Sequence, residues 1–289
     1  MKNSESKISL YILVILSVLL VSAQQAGSPD EHQTDTTLVY LFEIKENIAP
    51  PAWRLTKRAF EEAGEMNADL VLIHLNTYGG MLDAADSIRT KILNSEIPVW
   101  VFIDNNAASA GALISIACDS IYMRPGGSIG AATVVNQEGE VVPDKYQSYM
   151  RAMMRATAEA TGRDPDIAQA MVDPRIKIEN VIDSGSVLTF TATEAMKNAY
   201  CENIADDVEE VLQLAGITEY ELVEQEIKAI DKIIAFLINP IISGLLIMVI
   251  IGGIYFELQS PGVGFPLGAA ILAALVYFAP LYIEGLANN

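Results

Sequence analysis

The chain has 289 residues, enough for one large domain or two domains of ordinary size. A hydrophobic fraction of 51% and a mean hydropathy of +0.30 are high for a purely soluble protein, so we expect a membrane component. The 37 acidic and 18 basic residues give a net charge of -19, which repels phosphate backbones and argues against nucleic-acid binding. With only Cys118, Cys201, His32 and His74 available, we expect no disulfide framework, no metal site and no cofactor.

The N-terminus has the pattern of a secretory signal peptide. Lys2 and Lys7 precede an apolar run from Ile8 to Val21, and small residues follow as far as Ala23, where we expect cleavage. The apolar run is short for a membrane-spanning helix, and an uncleaved anchor is the alternative. Residues 24–35 are rich in Gln, Gly, Ser, Pro and Asp, a composition that predicts a linker.

Two uncharged apolar runs near the C-terminus predict two transmembrane helices. The runs extend from Ile233 to Phe256 and from Leu258 to Ile283, and each is at least as long as the roughly 20 residues that cross a bilayer core. A buried helix of a soluble protein is the alternative. We therefore expect a soluble domain over residues 36–232 and a multi-pass membrane region over residues 233–289. The flanking charges are mixed in sign, so the orientation follows from the signal peptide, which predicts a soluble domain on the extracytoplasmic, periplasmic side.

Strands and helices alternate through the first part of the soluble domain. The apolar patterns predict strands at Thr37–Ile44, Leu70–Leu75 and Val99–Ile103, a strand-like segment at Ala131–Val135, and helices at Ala49–Met66, Met81–Asn94 and Asp144–Thr161. This alternation predicts an α/β fold built from parallel β/α units.

The turn after the second predicted strand, residues 76–80 (NTYGG), contains two consecutive glycines. Glycines at such a turn let the backbone approach another group closely and direct N–H groups toward an oxyanion or a phosphate. A plain tight turn is the more frequent role of such a sequence.

Residues 105–112 (NNAASAGA) follow the third predicted strand and begin a helix of small residues. Ser109 at this entrance places its hydroxyl near the positive end of the helix dipole, and the following N–H is available to the same oxyanion. A simple helix N-cap is the alternative role for this serine.

A serine nucleophile needs a base, and a desolvated lysine can act as one. Lys145, which follows Pro143 at the start of a long predicted helix, is the best candidate by position, although most lysines are solvated surface residues. His74 is a rival base, but it lies inside an apolar strand, where a structural histidine is more frequent. A Ser/His/Asp triad is therefore disfavoured.

These motifs in this order resemble the membrane-bound serine proteases of the NfeD type, within the Clp protease and crotonase superfamily, to which signal peptide peptidase A is related. The resemblance rests on NTYGG, on ASAGAL at residues 108–113, on PGGSIGA at Pro125–Ala131, and on a lysine 36 positions after the serine (145 minus 109). Residues 187–212 also resemble the end of the soluble domain in that family. Tyr78 stands where the family motif usually has proline.

The resemblance implies a Clp protease/crotonase-like fold and a Ser/Lys dyad, with Ser109 as nucleophile and Lys145 as general base. Gly80 and Ala110 correspond to the backbone donors of the oxyanion hole, and Gly79 supports the turn. The implied activity is a serine endopeptidase that cleaves hydrophobic segments of membrane proteins, such as stomatin-like or prohibitin-like partners, and that forms a homodimer. Since the lysine acts as a base, activity is expected to rise toward alkaline pH.

Two other functions stay open. A crotonase-type acyl-CoA enzyme uses the same paired backbone amides, but the predicted export argues against it. A non-catalytic membrane scaffold would keep the fold and use its acidic surface to bind partners. Fuller members of the family have more membrane helices and a small β-barrel, so we expect this chain to be a short form or a truncated product.

Overall fold

The computed structural model describes residues 36–45, 47–136, 138–260, 262 and 264–283. The chain divides into two units, Met1–Thr36 and Thr37–Asn289, and nearly all described residues belong to the second. The predicted signal peptide, residues 1–23, and the predicted linker lie outside the described residues.

A sheet of eight strands forms the centre of the described soluble domain. The strands are β1 (Thr37–Ile44), β2 (Leu70–Thr77), β3 (Val99–Ala108), β4 (Ser120–Met123), β5 (Ser128–Gly130), β6 (Thr189–Thr191), β7 (Asn203–Ile204) and β8 (Tyr220–Glu224). Their order is β6-β5-β3-β2-β1-β8, with β4 beside β3 and β7 beside β4, and only the β5–β6 pair is antiparallel. Parallel neighbours end at the same edge of a sheet. We call the edge after Ile44, Thr77 and Ala108 the carboxyl edge.

Helices connect these strands and then continue beyond the sheet. They are α1 (Pro50–Glu65), α2 (Leu82–Leu93), α3 (Ala110–Ala117), α4 (Asp144–Ala160), α5 (Pro165–Ala170), α6 (Ala192–Lys197), α7 (Val208–Leu214), α8 (Ala229–Ile238), α9 (Pro240–Gln259) and α10 (Phe265–Ile283). The three strands and three helices predicted from hydrophobic periodicity are present, and β3 extends beyond its predicted end at Ile103.

Apolar side chains cover both faces of the sheet. On one face, Phe42, Ile73 and Val101 belong to a large buried cluster that includes residues of α1 to α4. On the other face, Leu72 and Phe102 pack in a smaller cluster with residues of α7. Burial on both faces explains why β1 to β3 contain nearly continuous apolar runs, which is the usual pattern of a parallel sheet.

The prediction of a strand-like segment at Ala131–Val135 is wrong in its position, because the strand in this region is β5 (Ser128–Gly130). Regular pairing ends with β5 at Gly130, and Val135 forms only an isolated bridge with Val141. Ala131 has a φ of 50°, and its N–H donates to the carbonyl of Leu188 at 3.0 Å. The backbone therefore turns away from β3, a change of direction that an apolar sequence pattern does not show.

The first predicted transmembrane run contains parts of two helices. α8 ends at Ile238, and α9 begins at Pro240, in the first turn of a helix, where proline is tolerated. The Asn239 side chain caps α9 by accepting the Ile241 N–H at 3.0 Å. By length and hydropathy, the helices able to cross a bilayer are Ile241–Gln259 and Phe265–Ile283, so the first begins at residue 241 and not at 233.

α9 and α10 pack against each other as a helical hairpin. At Gly253 the two helices are so close that a Cβ would lie 2.4 Å from the Pro266 carbonyl oxygen and 2.9 Å from the Ala270 Cβ. Small residues allow this approach between membrane helices. The Glu257 carboxylate accepts the Gly264 N–H at 3.0 Å and thereby holds the turn of the hairpin.

Gly253→Val should destabilise the hairpin by about 1–3 kcal/mol, because the added side chain must displace the α10 backbone. Thermal unfolding of the full chain in detergent measures this change. Gly252→Val is the matched control, because a Cβ at Gly252 meets no atom within 4 Å. Equal unfolding temperatures for the two variants would contradict the assigned contact between the helices.

Candidate active site

The NTYGG turn and Ser109 meet at the carboxyl edge of the sheet. β2 and β3 pair as far as Thr77 and Ala107, so the turn after one strand lies beside the serine after the other. A Cβ at Gly79 would lie only 2.6 Å from the Ser109 Cβ and 3.1 Å from its Oγ. Glycine at position 79 is therefore what allows the turn to lie against the serine.

Ser109 has a strained backbone, with φ 54° and ψ -115°. A non-glycine residue in the left-handed region carries a cost of about 1–3 kcal/mol, which the surrounding structure must offset. The Ser109 N–H donates to the Gly130 carbonyl at 2.9 Å, and its own carbonyl accepts the Ala112 N–H at 3.0 Å. β5 and α3 thus hold the serine from two sides. Its side chain makes no capping hydrogen bond within the described residues, so the N-cap role is not observed.

The predicted oxyanion-hole donors, the backbone N–H groups of Gly80 and Ala110, belong to the turn that packs against Ser109 and to the residue directly after it. Ile48 forms a parallel bridge with Gly80: its N–H donates to the Gly79 carbonyl at 2.9 Å, and its carbonyl accepts the Met81 N–H at 2.7 Å. In such a bridge the N–H of Gly80 itself points to the opposite side, toward β3. Ala110 is the first residue of α3, where an N–H has no partner within the helix.

Ile48 and Thr77 position these groups, although neither is among the site residues predicted from the sequence. A Cβ at Gly80 would lie 2.1 Å from the Ile48 carbonyl oxygen, so Ile48 packs directly against the second glycine of the turn. Thr77 Oγ1 accepts the Gly79 N–H at 3.1 Å, and a Cβ at Gly111 would lie 2.7 Å from the Thr77 methyl group. Thr77 thus contacts both the turn and α3. The position of Thr77 inside the NTYGG motif is a sequence signal for its role. Ile48 is remote from that motif in the sequence, and no sequence pattern indicates its role.

Lys145 lies in the first turn of α4, and its side chain is exposed. Its Nζ lies over the ring of Tyr146, 4.7 Å from the ring centroid. None of the contacts recorded among the described residues joins Lys145 to Ser109. The structure therefore brings Gly79 and Gly80 to Ser109 and Ala110, and it shows no direct contact of Lys145 with this group among the described residues.

The rival base, His74, is a residue of β2, and its side chain lies between the carboxylates of Glu43 on β1 and Asp104 on β3. Its Nδ1 is 3.7 Å from Glu43 and its Nε2 is 3.6 Å from Asp104. Burial and the nearby Lys45 lower the pKa of His74, although the two carboxylates oppose this shift. No described contact links His74 to Ser109, and the described residues contain no group of three or more potential metal ligands.

A buried carboxylate fixes the helix that carries Lys145. Asp173 is 6% exposed and accepts hydrogen bonds from the Arg175 backbone N–H and side chain. It also pairs with Arg151 of α4 at 2.9 Å. The Arg175 side chain, with Arg151, lowers the pKa of Asp173 from its ordinary 3.8 to about 2, against the opposing effect of burial. Asp173 therefore stays ionised and holds α4 against the segment after α5.

Both parts of the chain match known protein families. Residues 38–225 match the NfeD1b N-terminal domain, and residues 241–289 match the NfeD integral membrane domain. The chain belongs to the NfeD family. It is a membrane protein, as its hydropathy predicts.

Two curated relatives of this NfeD protein cover most of its length. It is 33% identical over 277 residues to the membrane protein NfeD1b of Bacillus subtilis, covering 95% of this chain and 62% of that protein. It is 27% identical over 249 residues to the membrane-bound protease PH1510 of Pyrococcus horikoshii, covering 78% of this chain and 54% of that protein. The chain thus spans less than two thirds of the length of either relative.

Solved structures share the fold of the soluble domain. A lysine-to-alanine variant of the 1510-N membrane-bound stomatin-specific protease, in complex with a substrate peptide, has 27% identity and a TM-score of 0.61, covering 70% of this chain and 97% of that one. A serine-to-alanine variant has 27% identity and a TM-score of 0.59, covering 67% of this chain and 99% of that one. The predicted α/β fold is confirmed, and the soluble domain shares it with these membrane-bound proteases.

Asp173→Asn should lower the free energy of unfolding by about 1–3 kcal/mol, because Arg151 loses a charged partner. Denaturant unfolding of the full chain in detergent measures this. The folded carboxyl has the lower pKa, so its contribution is complete above about pH 4 and disappears as the pH falls through about 2. The difference between wild type and variant should therefore shrink on acidification.

Asp183→Asn is the control for this prediction. Asp183 is 88% exposed and pairs with Lys177 at 2.9 Å on the surface, and such a pair contributes at most about 1 kcal/mol. Equal losses of stability in the two variants would show that Asp173 does not anchor α4.

Proposed function

We propose that this NfeD protein is a membrane-anchored serine endopeptidase with Ser109 as its nucleophile and Lys145 as its general base. The strained serine at the start of α3, held against Gly79, carries the proposal. Backbone strain of this kind persists where the surrounding structure maintains it and is concentrated at functional sites. The similarity to a membrane-bound protease supports the same reaction class.

The proposed reaction is acyl transfer to Ser109. Neutral Lys145 takes the hydroxyl proton while Oγ attacks the peptide carbonyl carbon, and the N–H groups of Gly80 and Ala110 stabilise the oxyanion. Lys145 then gives this proton to the leaving amine as the C–N bond breaks. A water molecule, deprotonated by Lys145, hydrolyses the ester and restores the Ser109 hydroxyl. The positive end of α3 adds to the stabilisation of the oxyanion.

The role of Lys145 requires a movement of its side chain. A general base must come within about 3 Å of the proton donor, and such contacts often form only with substrate bound. Leaving the Tyr146 ring breaks one cation–π contact, which at an exposed site contributes about 0.5–1 kcal/mol. Among the described residues Lys145 forms no ion pair that would oppose this movement.

The proposed substrates are hydrophobic segments of membrane proteins, stomatin-like or prohibitin-like partners among them. The similarity to a stomatin-specific protease supports this class. Two membrane helices would hold the protease domain near such substrates, with that domain on the extracytoplasmic side and two chains forming a homodimer.

Cleavage of hydrophobic peptides by the full chain in detergent tests the proposed dyad. Ser109→Ala and Lys145→Ala should each reduce kcat/KM by at least about 1,000-fold, because each removes a group needed in every turnover. Ser148→Ala and Lys177→Ala are matched controls on the exposed surface and should leave cleavage unchanged.

The outcomes separate the competing functions. Activity that survives in Lys145→Ala but not in Ser109→Ala would place the base on another residue. A folded wild-type chain that cleaves no peptide, and whose Ser109 does not react with a fluorophosphonate probe, would favour the non-catalytic scaffold.

Thr77 should act as a positioning residue for the oxyanion hole. Thr77→Val keeps the methyl contact with Gly111 but removes the oxygen that accepts the Gly79 N–H. We expect kcat to fall about 10-fold with little change in KM, less than the roughly 100- to 1,000-fold cost of losing an oxyanion donor itself. Thr77→Ser retains the oxygen and should retain kcat. If valine and serine reduce kcat equally, the hydrogen bond does not position the turn.

A further inference from the structure

Helix α8, which immediately precedes the first membrane helix, has two different faces. Asp231 and Ile234 are buried, with exposed fractions of 5% and 0%. Ile230, Ile233 and Phe236, which lie beside and behind this buried pair on the helix surface, are 41%, 52% and 60% exposed. Their spacing of three residues places them in one row along the helix, which we call the apolar stripe. A row of exposed apolar side chains indicates a contact with a partner or a membrane.

Ion pairs hold the other face of α8 against α1. The Asp231 carboxylate lies 2.6 Å from Arg54 Nη1 and 2.9 Å from Arg58 Nη1. One carboxylate oxygen also accepts the Lys228 N–H at 2.8 Å. Because Asp231 is buried between two arginines, the helix cannot rotate to hide the apolar stripe without leaving charged groups unpaired.

α8 runs antiparallel to α1 and leads to the carboxyl edge of the sheet. Lys228 pairs with Glu62, near the end of α1, whereas Asp231 pairs with Arg58 and Arg54, nearer its start. α1 begins just beyond β1, at the carboxyl edge. The chain therefore enters the membrane from the edge of the sheet that carries Ser109.

Only Asn239 separates α8 from α9, and α8 contacts both membrane helices. We propose that α8 lies in the membrane–water interface, with the apolar stripe inserted among the lipid acyl chains. An interfacial helix buries its apolar face at the boundary of headgroups and acyl chains while its polar face stays outside. The direct connection to a membrane helix makes lipid the occupant of the stripe.

The net charge of the chain also indicates which interaction holds the apolar stripe at the membrane. A chain with a net charge of -19 is repelled by anionic headgroups, so apolar burial and not electrostatic attraction holds the stripe at the membrane. The contact should therefore form in zwitterionic bilayers and should not require anionic lipid. It brings the carboxyl edge close to the membrane surface whether or not Ser109 is a nucleophile.

The test uses the full chain in phosphatidylcholine vesicles with an environment-sensitive NBD fluorophore on one introduced cysteine. Ile233→Cys and Phe236→Cys place the probe on the apolar stripe, and Glu159→Cys places it on an exposed site of α4. Cys118 and Cys201 are buried, and wild type measures their background labelling. Thermal unfolding confirms that each labelled variant is folded.

The proposal predicts blue-shifted emission at positions 233 and 236, strong quenching by spin-labelled lipid and weak quenching by aqueous iodide. The probe at position 159 should show the reverse pattern. Replacing part of the phosphatidylcholine by phosphatidylglycerol should not increase the blue shift or the quenching by spin-labelled lipid. Iodide quenching at 233 and 236 equal to that at 159 would overturn the proposal. Shielding from both quenchers would also overturn it and indicate that a second copy of the chain covers the stripe.

Discussion

The close approach of Gly79 to Ser109 is the constraint on which the candidate site depends. It exists because β2 and β3 are adjacent and parallel, so the segments that follow them meet at one edge. A side chain at position 79 would collide with the serine, and one at position 80 would collide with Ile48. Two consecutive glycines therefore let one turn fit between Ile48 and the start of α3. The strain at Ser109 is maintained by the same packing, through its hydrogen bond to Gly130.

Two buried carboxylates fix the positions of two helices, α4 and α8. Asp173 holds α4, which carries Lys145, and Asp231 holds α8, which leads into the membrane. Asp173 pairs with Arg151 and Asp231 pairs with Arg54 and Arg58, in each case across two segments of the chain. A buried carboxylate with such partners defines one arrangement of the two segments. The soluble domain and the membrane helices are thereby joined by specific contacts as well as by the chain itself. Neither carboxylate belongs to a recognisable motif.

Periodicity predicted β1 to β3, α1, α2 and α4 well, because each buries a face whose apolar pattern is long and regular. It failed where the chain changes direction without a change in hydropathy. At Ala131 the backbone turns away from the sheet, and at Asn239 one apolar helix ends and another begins. Both positions lie within apolar runs, and what distinguishes them is backbone conformation and capping. Motif order identified Ser109, Gly79, Gly80 and Ala110 as candidates, whereas Thr77 and Ile48 emerged only from their contacts.

By itself, the sequence determined the α/β class, the membrane helices, the family and the serine and glycines of the candidate site. These depend on local composition and on short motifs, which residue order records directly. Tertiary structure decided that Gly79 packs against Ser109, that Lys145 lies on an exposed helix surface, and that α8 turns its apolar stripe outward. Those properties depend on strand order and on pairs such as Asp231 with Arg54, which lie far apart in the chain. Pairing across such separations is set by the packing of the whole domain, and no local pattern records it.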